Sequence, residues 1–452
     1  MTRYRADAVM AGLRDFQRAT VEHVIERFYG PNPTPRFLVA DETGLGKSLV
    51  ARGVIAKALE RLQDDDSVDR LDVVYVCSNQ DIATQNVSRL KVTSRESMTL
   101  SSRLTLLAKH TSELEKATTV EGKPVNLVAF TPGTSFDRGW RTGKAEERAM
   151  IYLLLEQARA WDGWTKRAAL RAMQGTMTSP ENFKREVERL KWHLSDGIDE
   201  RIAAEFIRLA DGGGLLDAFD DLLAQIGRRE SLPSELGWAC FERVGELRTM
   251  LAKAGVQRLQ PDLVILDEFQ RFRHLLDLTE GGEAAELAHH LFDHVNAKVL
   301  LLSATPYKPF TLAEEAGIGE DHHRDFMKTL RFLDGDEQWN DEVRRAFDTY
   351  RDAVVRGRDA EQAAATVRHP LLKVMCRTER PSLIQSRMLL PRTLEANDLR
   401  HEGVRGYVTL SRLARQVDAP MTIEYWKSAP YFLNFVEGYK LGERLRAELR
   451  SG

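Results

Sequence analysis

The chain has 452 residues, 42% of them hydrophobic and 29% charged, with a formal net charge of −3. That length allows two or three domains with full cores, at about 150 residues each, and the composition is that of a soluble globular protein rather than a disordered or fibrous one. No apolar run approaches the roughly 20 residues that span a bilayer, and the opening MTRYRADAVMAGLRDFQRAT has no signal-peptide core. Cys77, Cys240 and Cys376 lie far apart in no metal-ligand spacing, so they read as reduced thiols of a cytoplasmic protein. So small a net charge neither announces nor excludes a nucleic-acid partner, because binding follows local clusters of basic groups.

In chain order, Leu13 to Phe28 has the apolar spacing of an amphipathic helix, ended by the proline punctuation of GPNPTPR. The strand FLVA (37–40) then runs into DETGLGKS. There Gly44 and Gly46 let successive backbone N–H groups converge on one centre, Lys47 adds charge, and a following helix aims its N-terminus at the same point. Such a centre suits a polyphosphate. The pattern G-x-x-x-x-G-K-[ST] is imperfect, since its first glycine is replaced by Ala40 or Asp41 according to the alignment.

Further apolar strands DVVYVC (72–77), VNLVAF (125–130), DLVILDE (262–268) and KVLLLSA (298–304) follow, most of them separated by helical segments. Short, nearly continuous Val/Ile/Leu strands suit a parallel sheet buried on both faces, which makes the fold α/β. Between Phe136 and Pro261 the rhythm breaks. AEERAMIYLLLEQARAWDGWTKRAALRAM, ENFKREVERLKWHLSDGI, DERIAAEFIRLA and PSELGWACFERVGELRTMLAKAG show only helical periodicity, with turns at SP (179) and GGG (212). This reads as a large helical insertion, either a covering subdomain or an element that grips a substrate; the seven Lys/Arg against three Glu from Trp164 to Trp192 bear on the second. After Lys308 the pattern is again mostly helical, and HPLLKVMCRTERPSLIQSRMLLPRT (369–393) interrupts it as a basic, extended segment.

Two stretches carry chemistry besides the phosphate loop. PDLVILDEFQRF ends a strand in Asp267-Glu268, and adjacent carboxylates there suit two tasks. Asp267 holds Mg²⁺, usually through water, and Glu268 orients and deprotonates an attacking water. VLLLSATPYKP puts Ser303, Ala304 and Thr305 just past another buried strand.

In these motifs the chain resembles the first RecA-like domain of superfamily 2 helicases and translocases, a P-loop NTPase fold, and is nearest their Swi/Snf-like branch. DETGLGKS resembles that branch's DEMGLGKT phosphate loop, DEFQ stands where relatives carry DEAH or DEAD, and LLLSATP matches the coupling motif. LRDFQRATVEHV resembles the LRPYQ element whose glutamine reads adenine, a task that a side-chain amide performs by donating and accepting at once. The resemblance implies ATP and Mg²⁺, with Gln17, Thr43, Gly44, Leu45, Gly46, Lys47 and Ser48 around the nucleotide and Ser48 and Asp267 on the metal. It implies Glu268, Lys47 and Gln270 in catalysis, and Ser303 and Thr305 in coupling. Gln270 takes the place of the usual His or Asp; it can hydrogen-bond toward the γ-phosphate, Ser303 or Thr305 but cannot titrate near neutral pH. VVYVCSNQDIATQN and VAFTPGTSF sit where the family touches a nucleic-acid backbone, which implicates Ser78, Asn79, Gln85, Thr131, Gly133 and Ser135. Hydroxyls and backbone amides at loop tips suit phosphate contacts, which position a strand without reading its sequence.

The implied organisation is an N-terminal helix with the adenine-reading element (1–36), a RecA-like ATP-binding domain (37–139 and 256–310), the helical insertion (140–255), a helical extension and bridge (311–392), and the start of a second region (393–452). The bridge resembles the family's LLRRTK followed by LP. A second RecA-like domain with an arginine finger should come next, and the residues after Pro391 are too few to house it; QIGRR (225–229) lies upstream of the acidic motif and is not that finger. An arginine finger is worth about three to five orders of magnitude in turnover. The expectation is therefore an ATP hydrolase that is weak alone, being a fragment or a subunit whose second motor half arrives on another chain. Duplex DNA is the expected track ahead of RNA, because Swi/Snf-like motors move on it without separating strands. Richness in Arg, Ala and Leu associates the chain with bacterial motors that serve transcription recycling or defence against foreign DNA. A different class stays open, a nucleotide-regulated scaffold that docks partners through the insertion. The intact Lys47, Asp267 and Glu268 speak against it, and the missing finger speaks for it.

Overall fold

The aliphatic runs of the sequence are the strands of one sheet. The computed structural model describes residues 3–93, 98–101, 103–109, 123–135, 142–194, 197–304, 322–357, 359–379, 401–417 and 440–451. Among them β1 (Arg36–Val39), β2 (Leu71–Val76), β3 (Met98–Ser101), β4 (Val125–Phe130), β5 (Leu263–Asp267), β6 (Lys298–Leu302) and β7 (Met375–Cys376) form a seven-stranded sheet in the order β3-β4-β2-β5-β6-β1-β7. Every pairing is parallel. All six residues of β2 and of β4 are buried, which is why these strands read as continuous apolar runs rather than alternating ones.

Parallel neighbours need a crossover, and helices supply it. The first helices are α1 (Asp7–Ala11), α2 (Asp15–Tyr29), α3 (Lys47–Leu62) and α4 (Gln80–Leu90). α3 buries Val50, Ala51, Val54, Ile55, Ala58 and Leu59, and these join Val21, Val24 and Phe28 of α2 and the strand side chains in one core.

Between β4 and β5 the described residues are helical, with no strand. A one-turn helix, Pro132–Ser135, precedes α5 (Ala145–Arg159), α6 (Gly163–Met173), α7 (Pro180–His193), α8 (Glu200–Gly212), α9 (Leu215–Ile226) and α10 (Ser234–Leu259). Side-chain caps set the starts of α6, α7 and α8: Asp162 accepts from Thr165 N, Ser179 from Asn182 N, and Asp199 from Arg201 N and Ile202 N. Tyr152, Trp161, Phe183 and Phe219 stack edgewise inside this array, with ring centroids 5.4 to 6.4 Å apart. α10 continues through residue 255 without a break and leads directly to β5.

Downstream come α11 (Gly282–Phe292), α12 (His322–Leu333), α13 (Glu337–Val355) and α14 (Ala360–Leu371). The extended segment expected from His369 onward starts instead as the last turn of α14, with Pro370 inside the helix. The run Ala363 to Ala365 favours helix strongly enough to carry a proline in the final turn, where it forfeits one backbone bond. Only then does the chain straighten into β7, beside β1. By compactness the chain divides into two units, Met1–Pro306 with Asp325–Arg380, and Tyr307–Arg324 with Pro381–Gly452. The described part of the second unit comprises residues 322–324 and the helices His401–Gln416 and Lys440–Ser451. No described helix is long and apolar enough to cross a membrane.

Candidate functional site at the carboxyl edge of the sheet

Because all strands run the same way, their carboxyl ends share one edge. Val39 of β1 and Asp267 of β5 both stand in register with Leu302 of β6, so β6 is the single strand between them. Two inter-strand spacings amount to about 10 Å. The loop after β1, Ser303 after β6, and Asp267-Glu268 ending β5 are thereby neighbours. β2 and β4 continue the edge, with Val76 opposite Leu266 and Phe130, so the segments at Ser78 and Thr131 emerge there too.

The loop after β1 turns through two left-handed residues, Gly44 (φ +83°) and Gly46 (φ +82°), before α3 begins. Positive φ is cheap only for glycine. Gly46 is constrained a second way, since a Cβ there would lie 2.5 Å from Gln17 Nε2. Lys47 turns back into the curl, its ammonium donating to the carbonyls of Asp41 (3.0 Å) and Glu42 (3.4 Å). Burial lowers the Lys47 pKa, and the charges of Asp267, Asp41 and Glu268 oppose that shift. Ser48 follows in the first turn of α3, half-buried, while Thr43 is exposed and Leu45 half-buried.

Gln17 is buried beneath this loop. Its Nε2 donates to Leu45 O (2.8 Å) and its Oε1 accepts from Arg14 N (3.0 Å), so its amide bridges the start of α2 to the phosphate loop. The expected adenine-facing amide is here engaged at both ends by main chain.

Asp41 has a supporting role the sequence did not signal. It is fully buried, and its Oδ1 accepts from Thr378 N (2.7 Å), while Oδ2 has no hydrogen-bond partner among the described residues. Ala40 N donates to Cys376 O (2.9 Å) and Glu42 N to Thr378 O (3.2 Å), so β7 and the residues after it clasp the front of the loop. Burial raises the Asp41 pKa against the hydrogen bonds from Thr378 and the charges of Lys47 and Arg377.

On the other side, Asp267 Oδ2 accepts from the Tyr75 hydroxyl (2.5 Å). Burial raises its pKa; the Tyr75 bond opposes this, Glu268 reinforces it, and Lys47 opposes it. Glu268 sits at φ +51°, a region rarely used by residues with a side chain and costing about 1–3 kcal/mol. Its carboxylate is half-exposed and paired with Arg271 Nε at 2.9 Å. Gln270 buries its Oε1 with no hydrogen-bond partner among the described residues. Ser303 is fully buried, its N–H donating to Val39 O (3.1 Å), so the segment after β6 is stitched to β1. Thr305 lies outside the described residues.

The residues expected to touch nucleic acid divide. Asn79, Gln85 and Gly133 are exposed and Ser78 is half-buried, whereas Thr131 and Ser135 are buried, Ser135 at 1% exposure. Of Thr131, Gly133 and Ser135 in the second contact element, then, Gly133 is the exposed one. QIGRR closes α9, where Arg229 caps the helix by donating to Gln225 O and Ile226 O.

The donor set fits a nucleotide with a magnesium ion. A glycine-curled loop, a lysine and a helix start suit phosphates, and a carboxylate with a serine hydroxyl suits an ion that completes its octahedron with water and phosphate. Among the described residues no group of three or more His, Cys, Asp or Glu gathers to form a closed metal cage. The buried, unpartnered oxygens of Asp41 and Gln270 are acceptors of the kind that bound water or a ligand satisfies. Tyr75, Asn86, Asp41 and Thr378 escaped sequence reasoning. Only Tyr75 left a signal, as a hydroxyl in a fully buried strand that must find a partner. Comparison with protein-family models and with curated proteins gives no match for this chain.

Proposed function

We propose that this chain is the ATP-binding and ATP-hydrolysing lobe, RecA-like in fold, of a nucleic-acid-dependent superfamily 2 helicase or duplex-DNA translocase. The observation that carries the reading is the convergence of Lys47, Asp267 and Glu268 from two strands of a parallel sheet, with the lysine in electrostatic reach of both acids.

In this reading the glycine-curled loop and Lys47 hold the β- and γ-phosphates, and Ser48 and Asp267 hold Mg²⁺, which neutralises phosphate charge when bound. Glu268 orients a water and takes its proton as the water oxygen bonds to the γ-phosphorus and the bond to the β-γ bridging oxygen breaks. Gln270 supplies a neutral acceptor beside that reaction. Ser303, just past the strand between the loop after β1 and Asp267, is suited to relay changes at the nucleotide to the exposed Asn79, Gln85 and Gly133. Duplex DNA is the proposed track.

Steady-state ATPase of the chain with duplex DNA, single-stranded DNA and RNA tests this. The expected result is measurable turnover raised by duplex DNA. ATP binding with no response to any polymer would instead favour a nucleotide-regulated scaffold.

A further inference from the structure

The buried pair Tyr75 and Asn86 belongs to no motif, yet it lies against the carboxylate proposed to hold magnesium. Tyr75 is on β2 with its ring in the core, and its hydroxyl donates to Asp267 Oδ2 at 2.5 Å. Asn86 is on α4, also buried, and its Nδ2 donates to the Tyr75 oxygen at 2.9 Å and reaches Asp267 Oδ2 at 3.5 Å. The donors are consistent as a chain. The phenol has one hydrogen, committed to Asp267, so its lone pair receives Asn86, and the 3.5 Å approach of the amide nitrogen to the same carboxylate oxygen is a weaker branch of that bond.

Packing alone does not account for this arrangement. Phenylalanine would fill the core position without bringing a hydroxyl out of water, and a buried amide is costly unless it is bonded. What the two polar groups achieve together is to occupy one oxygen of Asp267 and fix its rotamer. They also join it to a particular helix. α4 starts directly after Ser78 and Asn79, is tied to that tip by Ala83 N donating to Asn79 O (2.9 Å), and carries the exposed Gln85 next to Asn86. A group that grips the β2 tip or Gln85 therefore pulls on the helix that holds the magnesium carboxylate.

We infer that Tyr75 and Asn86 are positioning residues, which hold Asp267 for the metal and link it to the nucleic-acid-facing tip of β2 through α4. This rests on the proposed nucleotide site. The test is the affinity of the full chain for a fluorescent ATP analogue as Mg²⁺ is titrated, with and without duplex DNA, in parallel with thermal melting. Tyr75→Phe keeps the ring and removes the hydroxyl; it is expected to raise the Mg²⁺ concentration at half-saturation about 10-fold, the scale of one hydrogen bond to a charged group, and to leave metal-free affinity unchanged. Asn86→Asp keeps the shape and removes the donors. It is expected to raise the Mg²⁺ requirement as well and to abolish the lowering of that requirement by duplex DNA.

Absence of Mg²⁺-dependent nucleotide binding in the unaltered chain would overturn the nucleotide site and this inference with it. Saturable binding in the unaltered chain, with both variants matching its Mg²⁺ requirement, would overturn the positioning role alone. A lowered melting temperature with the Mg²⁺ requirement unchanged would mark the pair as structural and overturn the inference too. An equal DNA response in Asn86→Asp and the unaltered chain would overturn the link to α4.

Discussion

Glu147 and Asp267 are both carboxylates drawn into the protein, and they are satisfied in opposite ways. Glu147, at the start of α5, accepts from Thr105 Oγ1 (2.7 Å) and Arg248 Nη2 (2.8 Å) on one oxygen, and from Arg103 Nη1 (2.8 Å) and Lys144 N (2.7 Å) on the other. Burial pushes its pKa up, but Arg248 and the hydrogen bonds outweigh burial and hold it below the ordinary value. Asp267 receives its neutral donors on one oxygen and is left with a net upward shift, facing a lysine and a second acid. The first site spends all its capacity on locking the helical array to the segment after β3. The second has its side-chain donors on one oxygen, and among the described residues Asp41 Oδ2 and Gln270 Oε1 are buried with no hydrogen-bond partner.

The sharpest way to separate the two is to neutralise acids in each. Glu268→Gln is expected to lower ATP turnover about 10²- to 10⁴-fold, the usual worth of a positioned base, while nucleotide affinity is kept. Turnover that persists in a single-turnover assay would put the base elsewhere.

Glu147→Gln should do the reverse. Removing one partner of a buried ion pair costs about 3–5 kcal/mol, here because Arg248 and Arg103 lose their counter-charge, and nucleotide affinity of the folded protein should not change. Denaturant unfolding measures it. Since the folded pKa of Glu147 lies below its unfolded value of 4.5, its contribution is present above that value and fades as pH falls through the folded one.

The smallest effect is expected at the opposite edge of the sheet. Asp262 accepts from Asp72 N (2.8 Å), and burial, with Asp72 beside it, pushes its carboxyl up to about 6. A folded pKa above the unfolded 3.8 means that stability falls as pH rises from about 4 to 6. Asp262→Asn keeps the acceptor and removes that slope. Discounted for partial exposure, the expected gain at pH 7 is about 1 kcal/mol, and unfolding curves at pH 5 and 7 would reveal its absence.

Sequence periodicity found five strands of this sheet because β1, β2, β4, β5 and β6 each have a strand on both sides and are mostly buried and apolar. β3 and β7 are the edge strands; β3, MTLS, alternates apolar and polar residues instead of forming an aliphatic run, and β7 has only two residues. The site was legible where chemistry is local, as in Gly44 to Ser48 and Asp267-Glu268. It was not legible where residues meet only in three dimensions. Tyr75, Asn86 and Asp267 come from three elements, and Asp41 meets Thr378 from the far end of the same unit. Burial also separated residues that look alike on paper, since Gly133 is exposed where Thr131 and Ser135 are not.

The central claim is that the loop after β1 holds the phosphates of ATP, and titration of a fluorescent ATP analogue with Mg²⁺ into the full chain and its Lys47→Ala variant tests it most directly. The account predicts saturable binding by the unaltered chain and a loss of about 100-fold in the variant, the worth of charge-assisted hydrogen bonds to phosphate. Equal affinity in the two would contradict it.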